Sequence, residues 1–143
     1  MPTDRFLVDT SAWLLALRRD FVPAIKDRID HLLRDDAIVS TGIIKLETFS
    51  GARTEPEFRR LKQGLDALES IETDSSAWEE AYKLGFGLRR KGVTVPHTDI
   101  LVAACAMTTK AILIHVDTHF DLIAKHTRLQ VESYVREIGK TSR

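Results

Sequence analysis

The chain has a single cysteine, no apolar run long enough to cross a bilayer, no internal repeat, no Gly/Ser-rich linker and no net charge. Each absence removes a class of protein. One cysteine, Cys105, inside the apolar run "LVAACA", excludes a disulfide framework and fits a small core residue in a reducing cytoplasm. Without a spanning segment or a basic-then-apolar leader pattern, no membrane association is expected and the expected location is cytoplasmic. Twenty-one Lys and Arg balance twenty-one Asp and Glu, so bulk electrostatics alone do not draw the chain to nucleic acid. Local basic clusters remain at Arg18 and Arg19, at Arg59, Arg60 and Lys62, and at Arg89, Arg90 and Lys91, where a solvated helix face is the ordinary reading.

What is present belongs to an ordinary globular protein, with 43% hydrophobic and 29% charged residues. A chain of 143 residues can bury about 70% of its unfolded surface around one core, so a single domain over 1–143 is expected. Short β-rich runs at 5–8, 37–40, 70–72, 111–116 and 129–133 are separated by segments of helical period. That order predicts an α/β fold: a central parallel sheet of about five strands flanked by helices on both faces. Helix signals agree. Ile25, Ile29, Leu32 and Leu33 recur at helical spacing after Pro23. The segment 75–91 opens on a Ser/Asp cap and closes on Arg89, Arg90 and Lys91 before Gly92. Thr98 is a candidate N-cap that places Asp99 in the first turn of a nearly all-apolar, buried helix.

Ligands of an open parallel sheet bind outside the carboxyl ends of the strands. Asp9 ends the run "RFLVD" and Asp117 follows "AILIHV", so both fall on that edge. Asp99 opens a helix that can start near it. Glu47, one turn beyond Ile43 and beside Leu46 in "STGIIKLETFSGA", is expected to face inward, while the adjacent Lys45 points elsewhere. Singly, these residues read as a helix cap, a dipole partner, a half-exposed Glu and a turn residue. Together they form a like-charge cluster that raises its own pKa values and destabilises the fold. A divalent cation removes that penalty, and all-oxygen ligands favour Mg2+ or Mn2+ over zinc.

Four stretches in order, "FLVDTSAW", "KLETFSGA", "HTDILVAACA" and "HVDTHFDLIA", make the chain resemble PIN-domain proteins, and more closely the VapC-type toxin ribonucleases of toxin–antitoxin pairs. The resemblance covers nearly the whole chain. It implies that Asp9, Glu47, Asp99 and Asp117 are the catalytic, metal-binding quartet, with Ser11 and Thr10 orienting the first acid or the scissile phosphate and Asp121 in support. His115 departs from the Thr or Ser that many relatives carry two places before the last acid. The implied activity is Mg2+- or Mn2+-dependent hydrolysis of RNA phosphodiesters. The implied partners are an RNA substrate, a separately encoded VapB-like antitoxin and a second copy of the chain in a homodimer, with DNA met only through the antitoxin complex.

Other readings carry different signatures. A histidine ribonuclease would use His97, His115 or His119 and leave a cyclic phosphate. The spacing "HVDTH" is not the HExxH of a zinc site. A haloacid-dehalogenase-type phosphatase needs a second Asp where Ser11 stands. A catalytically silent PIN-like module would bind RNA or protein without cutting. The apolar residues Trp13, Leu14, Leu17 and Phe21, and Phe49 and Phe58, pack either the core or a partner helix.

Overall fold

The structure, a computed structural model, describes residues 3–141; the terminal residues 1–2 and 142–143 of the expected domain lie outside the described residues. Five strands, β1 (Phe6–Val8), β2 (Ile38–Thr41), β3 (Glu69–Ile71), β4 (Ile112–His115) and β5 (Val131–Ser133), form one sheet in the order β3-β2-β1-β4-β5. Every pairing is parallel. Such a sheet is covered on both faces, so its central strands read as continuous apolar runs. β1 and β2 are buried at every position, whereas the edge strands β3 and β5 are largely exposed or half-buried.

Among the described residues, eight helices connect the strands: α1 (Thr10–Leu17), α2 (Pro23–Arg34), α3 (Gly42–Ser50), α4 (Glu55–Asp66), α5 (Ser75–Arg90), α6 (His97–Thr109), α7 (Thr118–His126) and α8 (Val135–Thr141). The connections from β1 to β2 to β3 contain α1–α4, and the right-handed rule for parallel crossovers puts these helices over one face. The crossovers into β4 and β5 run the other way and carry α5–α7 over the opposite face. The packing follows this division: α1 meets α2 and α3, α3 meets α4, and α6 meets α5 and α7. A contact between α3 and α6 bridges it.

Local chemistry sets the element ends. The Asp74 side chain accepts from the Ala77 amide at the start of α5, and Gly92, at φ 78°, supplies the left-handed residue just past its end. Helix α4, in a region read only as basic and aromatic, has a clear start: Thr54 accepts from the Glu57 amide, and Pro56 lies in the first turn. Helix α6 differs from its expected start. It begins at His97 after Pro96, and Thr98 is inside the helix rather than at its cap, because Pro96 already holds the extended backbone of the N-cap position. Asp99 still falls in the first turn.

The strand numbering reverses between β1 and β4, and this is what positions the site. At such a switch point the two flanking connections leave in opposite directions and open a crevice above the strand ends. β1 ends at Val8 and β4 at His115, so Asp9 and Asp117 stand at the mouth of that crevice.

Candidate active site

Three helices begin at the crevice, and each starts with a carboxylate. Asp9 is the N-cap of α1; its Oδ2 accepts from the Ser11 amide at 3.0 Å and from the Ser11 hydroxyl at 2.6 Å. Asp117 is the N-cap of α7, its Oδ1 accepting from the His119 amide at 2.9 Å. Asp99 lies in the first turn of α6 and is buried. The cap reading of Asp9 therefore holds, and Asp117, read singly as a turn residue, caps a helix instead; capping uses only part of each carboxylate. Helix N-termini also carry partial positive charge, which makes the crevice tolerant of anions.

Ser11 does more than meet Asp9. Its hydroxyl oxygen also accepts from the Val116 amide at 3.0 Å, so one side chain ties the end of β1 to the end of β4 and fixes the first acid between them. Thr10 faces the other way. Its hydroxyl donates to the Ile44 carbonyl at 3.3 Å and lies 3.0 Å from the Thr48 hydroxyl, fastening α1 to α3 rather than touching Asp9 with its side chain. That link sets the position of Glu47, which is half-buried on α3. Leu46, used in the sequence to infer an inward face, is 62% exposed. The inward apolar residue of that turn is Ile44, fully buried, and Lys45 pairs with Asp66 at 3.1 Å, away from the crevice.

The electrostatics show how closely the acids feel one another. Burial, with repulsion from Asp117 and Asp9, raises the Asp99 carboxyl from 3.8 to about 6. Burial first, then the charges of Asp9, Asp99 and Asp117, raises Glu47. Asp9 is raised by burial with a contribution from Asp117, against the lowering effect of its bonds to Ser11. Four carboxylates from four elements thus share one field, as expected of acids gathered without a compensating cation.

The histidines divide by position. His115 is completely buried; its Nδ1 accepts from the Asp117 amide at 3.1 Å, so the ring proton sits on Nε2. Nε2 lies 3.2 Å from Asp121 Oδ1, off the line of a good hydrogen bond, and Asp121 Oδ2 accepts from the Ser133 hydroxyl at 3.0 Å. Burial holds the His115 pKa below its ordinary value. The ring therefore acts as a neutral brace for the backbone of Asp117, and Asp121 reaches the site only through it. His119, undervalued in the sequence, enters the crevice: its Nδ1 is 3.1 Å from Asp99 Oδ2 and 3.2 Å from Asp117 Oδ1. One atom from each of Asp99, Asp117 and His119 lies within 4.8 Å of the other two, a donor set able to hold a metal ion. Asp9 and Glu47 fall outside this tightest group. The readable signal was the placement of His119 two residues beyond a helix-capping Asp, which puts it in the first turn beside the cap.

Residues 6–126 match the PIN domain family. Ribonuclease VapC21 of Mycobacterium tuberculosis is 32% identical over 133 residues, covering 91% of this chain and 94% of that protein. The chain belongs to the PIN-domain family, among the VapC ribonucleases. Among solved structures, VapBC2 from Rickettsia felis bound to a DNA fragment from its promoter superposes with a TM-score of 0.75 at 19% identity, covering 90% of this chain and 98% of that one. VapBC-5 from Mycobacterium tuberculosis, a member of the VapBC family of toxin–antitoxin systems, superposes with a TM-score of 0.65 at 20% identity, over 92% and 98% of the two chains. These two likenesses concern the fold.

Proposed function

We propose that the protein is a divalent-cation-dependent endoribonuclease, the toxin of a toxin–antitoxin pair acting in the cytoplasm, and that Asp9, Glu47, Asp99 and Asp117 hold the cation, Mg2+ or Mn2+. The observation that carries the reading is the convergence of these four carboxylates at the switch point, with Asp99 driven up to about 6 by burial and by its neighbours. The donor set fits the group: three carboxylates at helix N-termini and a fourth, Glu47, further along α3, crowded enough to gain from neutralisation. The membership among VapC ribonucleases and the likeness to toxin–antitoxin complexes point the same way.

Held by Asp9, Glu47, Asp99 and Asp117, a divalent cation would supply Lewis acidity toward a phosphate oxygen and would make a water more acidic at neutral pH. The chain's own residues keep the acids in place. Ser11 holds Asp9 against the end of β4, His115 braces the Asp117 backbone, and Thr10 ties α1 to α3, the helix that carries Glu47. No side chain need form a covalent intermediate; attack by water on phosphorus with the 3′ oxygen leaving would give 3′-hydroxyl and 5′-phosphate ends.

The antitoxin's docking surface is proposed at a second feature. A cavity of about 650 Å³ is lined by Trp13, Leu14, Leu17 and Leu33 of α1 and α2, by Leu61 and Leu65 of α4, and by Arg18, Arg53 and Arg60. The Trp13 indole N–H is buried with no acceptor among the described residues. An amphipathic segment that lays apolar residues on the leucines and acidic side chains on Arg18, Arg53 and Arg60 would fit this lining, which also carries Asp20 and Glu57. No described helix is long and apolar enough to cross a membrane.

Purified protein, free of antitoxin, is expected to cut cellular RNA when Mg2+ or Mn2+ is added and to lose that activity with EDTA or in Asp9→Ala. Mapped ends should be 5′-phosphates. Cleavage that survives both controls, or ends that are cyclic phosphates, would sink the carboxylate mechanism and return the histidines to consideration.

A further inference from the structure

A single nitrogen donor distinguishes this crevice from an all-oxygen cation site. His119 Nδ1 stands 3.1 Å from Asp99 Oδ2 and 3.2 Å from Asp117 Oδ1, while the backbone amide of the same residue is held by Asp117 at 2.9 Å. Neighbouring ligands on an octahedral cation, at ligand distances of about 2.0–2.2 Å, are separated by about 2.8–3.1 Å. Each carboxylate–imidazole pair is thus already close to the spacing of two ligands on one ion. His115 has no such option, because its Nδ1 accepts the Asp117 amide and its ring is buried.

We propose, on the reading that these carboxylates hold a divalent cation, that His119 supplies a nitrogen ligand through Nδ1 and so makes the centre select Mn2+ over Mg2+. Mg2+ is a hard ion that takes oxygen ligands and keeps its waters; Mn2+ also favours oxygen, but as a softer first-row transition ion it loses less than Mg2+ when one ligand is an imidazole. Replacing one oxygen corner by nitrogen therefore costs Mg2+ more than Mn2+. In the free protein the ring stands between the two carboxylates, with Nδ1 3.1 Å from Asp99 Oδ2 and 3.2 Å from Asp117 Oδ1.

Pulsed electron paramagnetic resonance on the Mn2+-loaded protein tests this, with Mn2+ and Mg2+ affinities measured beside it by titration. The wild type is expected to show nitrogen-14 coupling to the bound Mn2+ and to prefer Mn2+ over Mg2+ by about ten-fold or more. In His119→Asp, which replaces nitrogen by oxygen, Mn2+ should still bind, the coupling should vanish, and the preference should shrink by a comparable factor. Mn2+ bound by the wild type without nitrogen coupling, or coupling that persists in His119→Asp, overturns the role of His119 and leaves the carboxylate site standing. Failure of Mn2+ to bind either protein overturns the carboxylate site, and this inference with it.

Discussion

Asp99→Asn is expected to make the cation-free protein more stable at pH 7 while reducing RNA cleavage by at least about 10²-fold. The two effects have one cause. In the unfolded chain this carboxyl titrates near 3.8, and in the fold at about 6. Below the lower value both states hold the proton and nothing is lost. As pH climbs from about 4 to 6, the unfolded chain releases its proton first, so the folded state is progressively penalised, and the penalty is complete above the folded value. A displacement of this size corresponds to about 3 kcal/mol. Asparagine keeps the shape without the charge but weakens the contact with His119, so a net gain of about 1–2 kcal/mol is expected, or about 3–8 °C in melting temperature. Thermal melts of both proteins from pH 4 to 8 check this. The wild type should lose stability through pH 4–6, and the variant should lose much less.

The second large effect comes from the cation itself. At pH 7, Mn2+ at about 100 times its Kd should stabilise the folded protein by about 2.7 kcal/mol, because it binds the gathered carboxylates and not the unfolded chain. That is a rise of about 8–12 °C in melting temperature. The rise should shrink at pH 5, where Asp99 is largely protonated and the cation must displace a proton to bind. Differential scanning fluorimetry with Mn2+, Mg2+ and EDTA at the two pH values measures it. A melt insensitive to metal, together with a destabilised Asp99→Asn protein, would mean that the acids do not act as one site.

The parts of the site legible in the sequence were those fixed by strand ends. Asp9 and Asp117 each follow an apolar run, and in a parallel sheet a residue in that position has one place to go. The α/β order and the five strands were readable for the same reason, with boundaries differing by one or two residues. Glu47 was harder. Ile43 and Ile44 are both apolar, so the period of α3 does not say which flank turns inward, and Leu46 fails as an inward neighbour because Ile44 takes the buried position and leaves Leu46 exposed. Thr98 looked like a cap because Thr commonly is one; Pro96 takes the position instead. His119 was discounted because its meeting with Asp99, 20 residues away, requires α6 and α7 to begin at the same point of the crevice. Local pattern carries no information on that.

One crevice is expected to gather these acids around a cation. Crystals of the protein soaked in Mn2+ and measured for anomalous scattering test it most directly. The expected result is a peak among Asp9, Glu47, Asp99 and Asp117, within about 2.0–2.6 Å of at least two of their oxygens, and absent from Asp99→Asn crystals treated alike. A Mn2+ peak elsewhere on the molecule with none in the crevice would contradict it.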